Sequence, residues 1–314
     1  MTDKERILTD KEKMLEAEKY YSLGYEYAEK GDDRNALICF AKATELGHPE
    51  ACLELGYCYE NGFGIETDLE KAMKCYLLAS DMGVNEAYRL MGRFYHMGRV
   101  VKKDLEMAAK LYLLGAEGGD VRAMKEIADF YKFGFGVRKS TKLAKEWYIK
   151  AAECGDGWQK RYLAELYEKG ELFLKSEKKA ALWYGRAAEA RDRIACHKYA
   201  LCLFDGLGIK EDRTEALRWF LKAAELKNDE SMYYIGLYYA KGIGMPTDHE
   251  KAIEWFRKSR SAKAHFALGR YYQEGVCLEK DEAKAMHHFE IAANIGHDEA
   301  LKIVFGPKAK YRNR

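Results

Sequence analysis

Small residues, aromatics and capping residues return along this chain at a nearly constant interval. Steps of 36 residues from Ala72 meet Ala36, Ala108, Ala144, Ala180, Ala216 and Ala252, and a last step of 33 meets Ala285. Four positions before each alanine stands Asp32, Asp68, Asp104, Ser140, Ser176, Asp212, Asp248 or Asp281. Four positions after each stands Phe40, Tyr76, Tyr112, Tyr148, Tyr184, Phe220, Phe256 or Phe289. A fixed period of this length marks a chain made of stacked structural repeats.

The pattern predicts two helices in each unit. In the second, helix B, the Asp or Ser caps the first turn by accepting from an otherwise unpaired amide. The alanine and the aromatic four residues on share one face, where a neighbouring helix can approach closely. Upstream, Leu55, Gly56 and Tyr59 form one stripe of an earlier amphipathic helix, helix A. Between them, Gly62 and Gly64 supply turn conformations that a side chain would make costly. Neither helix can bury its stripe alone, but stacked neighbours can.

These residues, with Ile65, Asp68 and Lys71-Ala72 and the helix-B pairs Trp147–Tyr148, Trp183–Tyr184, Trp219–Phe220 and Trp255–Phe256, resemble the Sel-one-like repeat family, a relative of the tetratricopeptide repeat. The resemblance runs from residue 19 to 299. It implies an all-α chain, a right-handed α/α superhelix of helix–loop–helix units, used in that family mainly to hold or recruit other proteins. A fold alone does not fix a function.

Eight repeats are expected, at 19–50, 51–86, 87–122, 123–158, 159–194, 195–230, 231–263 and 264–299. A charged lead-in helix occupies 1–18, and a truncated capping helix with a basic tail occupies 300–314. Repeat 1 lacks the four-residue loop insertion. Repeat 5 replaces the second loop glycine with Glu171-Leu172-Phe173-Leu174; Phe173 is expected to turn inward, leaving Leu174 as the odd apolar residue. Repeat 7 is three residues short at Ser259–Ala262, which is expected to change the angle to repeat 8. The thin cap leaves a monomer, or a weak dimer through the C-terminal end.

A formal net charge of +2 gives no global case for nucleic acid or an anionic membrane. The opening TDKERILTDKEK is too charged for a secretory signal, and no apolar run is long enough to span a bilayer. The eight cysteines, Cys39, Cys52, Cys58, Cys75, Cys154, Cys196, Cys202 and Cys277, lack a regular pair per repeat. They read as reduced core thiols of a cytoplasmic protein. Catalytic chemistry is weakly signalled. His287-His288 point about 100° apart on a helix, carboxylates are scattered, and the Gly-x-Gly loops lack a Lys-Ser/Thr sequel. No catalytic residue, cofactor or metal site is expected.

The informative positions are those the repeat leaves open. With Gly56 as zero, helix A buries −5, −1 and +3, so −3 and +1 face the other way, onto what the resemblance implies is the concave wall. Those rows hold Tyr21, Tyr25, Leu53 and Tyr57, then Arg89, Arg93, Lys125 and Arg161, interrupted by Asp129 and Glu165, then Leu201, Tyr233, Leu237 and Phe266. Four cations in successive repeats repel one another unless something anionic lies between them. The expected function is a non-enzymatic scaffold or adaptor that binds a peptide or helix in this groove. Its partner would be an acidic or phosphorylated segment with apolar ends. An enzyme, or a glycan- or peptidoglycan-binding module, is the alternative on the same repeats.

Overall fold

A computed structural model of the chain describes residues 10–306, and among them it holds seventeen α-helices and no strand. The chain divides into two compact units, one ending at Cys154 and one beginning at Gly155. The first contains four hairpins: α1 (Asp10–Glu29) with α2 (Asp33–Glu45), α3 (Pro49–Asn61) with α4 (Leu69–Asp81), α5 (Asn85–Met97) with α6 (Leu105–Glu117), and α7 (Val121–Phe133) with α8 (Thr141–Cys154). The second contains α9 (Gly157–Lys169) with α10 (Glu177–Glu189), α11 (Arg193–Asp205) with α12 (Arg213–Glu225), α13 (Asp229–Lys241) with α14 (His249–Lys258), and α15 (Ala262–Glu274) with α16 (Glu282–Ile295). A last short helix, α17 (Asp298–Phe305), follows. Within each unit every helix B packs on its own helix A and on the next one, as a solenoid of helix–loop–helix repeats requires.

The capping residues act as expected at all eight helix-B starts. Asp68, for example, accepts from the Lys71 amide at 3.0 Å and Ser140 from that of Leu143 at 3.2 Å. The eight alanines and eight aromatics of the ladder are at most 4 % exposed, so they belong to the cores of the two units. Gly56 shows why the zero position is small: a Cβ there would lie 2.4 Å from the Tyr76 ring. Gly64 has φ +69° and would place a Cβ 2.3 Å from the Asp33 carbonyl oxygen, so this glycine lets the inserted loop lie on the start of α2.

The departures have local causes. Phe173 turns inward and packs 4.5 Å from Tyr167, while Leu174 is 91 % exposed. In repeat 7, α14 ends three residues earlier than its counterpart α12 (10 against 13 residues). Ser259 fills the joint, donating from Oγ to the Asp229 carbonyl at 2.7 Å with Ser261 Oγ 2.9 Å away, and both serines are buried. From Asp10 the lead-in is continuous with the first helix A. The rest of the lead-in and the basic tail from 307 lie outside the described residues. All eight cysteines are free thiols, four of them in register as Cys52/Cys58 and Cys196/Cys202.

Candidate functional site

Helix-A side chains in the −3 and +1 rows do not simply face an open wall: Tyr25, Tyr57 and Tyr233 meet the aromatic of their own helix B at 5.5, 5.9 and 5.8 Å, and several side chains meet the next repeat rather than solvent. Leu53, expected on the open wall, is 5 % exposed and packs with Ala87, Leu90 and Met91 of α5, because a −3 side chain lies over the following helix A. Tyr21 stacks on His48 at 4.2 Å and meets Tyr25 edge-on at 5.1 Å. The Tyr25 hydroxyl donates to Glu54 at 2.5 Å, and that of Tyr57 donates to Glu86 at 2.8 Å. Each phenol therefore ties one helix A to the next. Burial, and after it the Glu86 charge, pushes the Tyr57 hydroxyl up to about 12, so it stays a donor at any physiological pH.

The four cations are not an uncompensated strip. Arg89 is buried, bonds Glu86, and donates from Nε to Asp120 at 3.1 Å. Arg93 gives two bonds to Glu60 at 2.6 and 2.7 Å, and Glu60 also accepts from Tyr76 at 2.8 Å. Lys125 pairs with Asp129 at 2.7 Å. In the second unit Arg161 pairs with Glu165 at 2.6 Å and meets both Asp192 oxygens at 3.1 Å. The anionic material expected between the cations is thus the chain's own set of carboxylates. Reversing Arg89 to Glu would place a third carboxylate beside Glu86 and Asp120, so such a variant tests folding before it tests binding.

The signal for these pairs was in the sequence: Arg89 to Asp120 and Arg161 to Asp192 share a separation of 31 residues. Both aspartates also cap the next helix A. In the second unit Leu201 and Leu237 are half-buried. Tyr233 lies 5.8 Å from Phe256, with the Lys263 ammonium 5.8 Å above it, and Phe266 stacks on His297 at 4.2 Å. These four are mostly packed, in keeping with their rows facing neighbouring repeats.

His288 also packs: its ring stacks on Tyr272 at 5.6 Å, and its Nδ1 lies 3.1 Å from that of His265. Among the described residues no group of three or more His, Cys, Asp or Glu is placed to hold a metal ion, and no helix is long and apolar enough to cross a membrane.

A cavity of about 280 Å³, which no single sequence position announces, lies between repeats 1 and 2 of the first unit. It is lined by Tyr25, Phe40, Tyr57 and Phe63, floored by Ala28, Ala36 and Cys58, and edged by Asp33 and Glu54. Among the described residues, Tyr25 is the hydrogen-bond partner of Glu54, and no cation pairs with it. Burial raises its carboxyl above the ordinary glutamate range, and the Glu86 charge adds to the rise.

The comparisons with known proteins agree with this architecture. The Sel1 repeat model matches at 17–48, 49–84, 85–120, 121–156, 161–192, 193–228, 229–261 and 262–297. Among solved structures the chain is similar to c5321, a protective antigen of uropathogenic Escherichia coli with an SLR fold. The two are 27% identical with a TM-score of 0.76, over 95% of this chain and 67% of that one. It is also similar in fold to a Sel1 repeat protein from Oxalobacter formigenes, at 24% identity and a TM-score of 0.61 over 97% of both chains. None of the curated proteins compared with it matches. Eight matched repeats spanning most of its length show that the chain belongs to the Sel1 repeat family.

Proposed function

We propose that this protein is a non-catalytic scaffold that holds a protein segment along its helix-A face, with the first unit as the main contact region. Sel1 repeats generally build interaction scaffolds, which supports the class of function. The observation that carries the reading is the row Tyr21, Tyr25 and Tyr57. Tyr25 and Tyr57 are partly exposed, and their hydroxyls are fixed to carboxylates of the next helix. Rings held this way offer contact area with little rotamer entropy left to lose on binding. Eight free thiols support a reducing compartment, and we take the protein to act in the cytoplasm.

Acidic character in the partner no longer has a reason, since Arg89, Arg93, Lys125 and Arg161 already face carboxylates. What remains is a partner whose side chains pack on the tyrosine rings. The test is capture of partners from the native host by wild-type protein and by two variants. Tyr25→Ala with Tyr57→Ala should weaken capture by about tenfold or more, as for aromatic anchors at interfaces. Lys142→Glu with Lys145→Glu, on helix B, should leave it intact. Loss in the helix-B variant with retention in the tyrosine variant would move the binding site to the outer surface.

A further inference from the structure

The cavity between repeats 1 and 2 exists because two ladder positions are small there. At position +2 of helix A, other repeats carry Phe94, Phe130, Tyr238 and Tyr271. Each packs on the aromatic of the preceding helix B: Tyr76, Tyr112, Phe220 and Phe256, at 6.0, 5.1, 6.2 and 6.0 Å. Repeat 2 has Cys58 at this position, and at +4 of repeat 1, where repeats 2, 3 and 6 have Glu60, His96 and Phe204, stands Ala28, as Ala240 does in repeat 7. Phe40 is therefore left without the ring that would otherwise cover it, and the space opens beside it.

The chain shows elsewhere what such a space accepts. Repeat 6 also has a cysteine at +2, Cys202, and there the chain supplies a cation itself. Lys198 stands at the register position of Glu54 and donates to Glu168 at 3.1 and 3.3 Å. Tyr184 donates to the same carboxylate at 2.7 Å, and the ammonium lies 5.9 Å from the Tyr184 ring. Between repeats 2 and 3 the same trio recurs as Tyr76, Glu60 and Arg93. Between repeats 1 and 2 the positions are exchanged: Ala28 stands where Glu60 and Glu168 stand, Glu54 stands where Lys198 stands, and a ring and a carboxylate meet the space with no cation of the described residues between them. The walls are aromatic faces, which attract a cation electrostatically. The carboxylate that edges the cavity is unpaired by any cation of the described residues, and an unmatched charge in a partly desolvated site favours a ligand of opposite sign.

We propose that the cavity lined by Tyr25, Phe40, Tyr57 and Phe63 receives a lysine or arginine side chain of the bound segment, with its charged end on Glu54. This deepens the scaffold reading and rests on it for the source of the side chain. The aliphatic stem lies against Ala28, Ala36 and Cys58, and Asp33 adds a second acceptor at the rim.

The test uses amino-acid amides as probes, so it does not depend on knowing the partner. N-acetyl-lysine amide and N-acetyl-arginine amide are titrated into ¹⁵N-labelled full-length protein and followed by chemical shift. At least one should give saturable shifts at Glu54, Tyr57, Cys58 and Phe63. N-acetyl-norleucine amide, which has a stem and no charge, should bind at least about tenfold more weakly, and Glu54→Gln should lose about tenfold for the cationic probe, as for a charged hydrogen bond. Cys58→Phe, which copies Phe94, should abolish binding with the circular dichroism unchanged. Equal binding of norleucine, an unaffected Glu54→Gln variant, or no saturable shift with either cation would overturn the proposal. Loss of partner capture in the Tyr25/Tyr57 variant can still occur in each of those cases, so the two readings fail separately.

Discussion

The junction of repeats 2 and 3 and that of repeats 5 and 6 carry the same three groups in different surroundings. In the first, the Glu60 side chain is 5% exposed and takes Tyr76 and Arg93, with Arg99 at 3.5 Å. In the second, the Glu168 side chain is 42% exposed and takes Tyr184 and Lys198, whose side chain is 37% exposed. Arg93 stands at +1 and Lys198 at −2 of their helices, so the cation enters from different positions. A repeat scaffold can thus keep one interaction while changing the residue that supplies it. What changes is the cost of losing it.

Removing the cation separates the two cases most clearly. Arg93→Ala leaves a buried carboxylate with a distant second partner and should destabilise by about 3 kcal/mol, whereas Lys198→Ala should lose less than about 1 kcal/mol. Urea denaturation of both variants checks this. Equal losses would mean that burial of Glu60 does not govern its pairing.

A smaller effect is expected from the backbone beneath the first junction. Repeats 4, 5 and 6 already have alanine at the zero position (Ala128, Ala164, Ala200), while Gly56 faces the Tyr76 ring. Gly56→Ala should displace Tyr76 from Glu60 and cost about 1–2 kcal/mol, as overpacking of a core does. The reverse change, Ala164→Gly, should not disturb the Tyr184 bond. A crystal structure showing Tyr76 unmoved in Gly56→Ala would break the distinction.

The last expected effect is on pH dependence in the second unit. Burial, with Lys263 and Lys198 nearby, pulls His197 down to about 4 from the usual value near 6.5. Between those values the unfolded chain binds a proton that the folded chain refuses, so stability falls as pH drops from about 6.5 towards 4. His197→Gln, which can keep the contact to Ser231 Oγ, should flatten part of that slope in denaturant midpoints taken at pH 7.5, 6 and 5. An unchanged slope would show that His197 takes up its proton normally.

The fold was legible because its determinants repeat. One capping oxygen, one alanine and one aromatic per unit, eight times over, leave little freedom to the assignment of helix B. The candidate surface was less legible, since its meaning depends on which side chains cross to the next repeat. Leu53 and Arg89 share a register position, and both are buried by the following helix. The ion pairs could have been read from the separation of Arg89 from Asp120 and of Arg161 from Asp192. The cavity could not be read from any one residue. It arises from Ala28 and Cys58 together, across the one junction where the spacing shortens from 36 to 32 residues, between Gly24 and Gly56.

The eight thiols also sort themselves by reactivity. The thiolate is the form that reacts, and burial raises Cys39, Cys52, Cys58, Cys75, Cys196 and Cys202, four of them to about 11. Cys154 and Cys277 are exposed, one at the last residue of the first unit and one in the loop of repeat 8. Mild alkylation of the folded protein therefore has two natural attachment points, one in each unit. A pair of spectroscopic labels placed there would report the separation of the units in solution without any engineered residue.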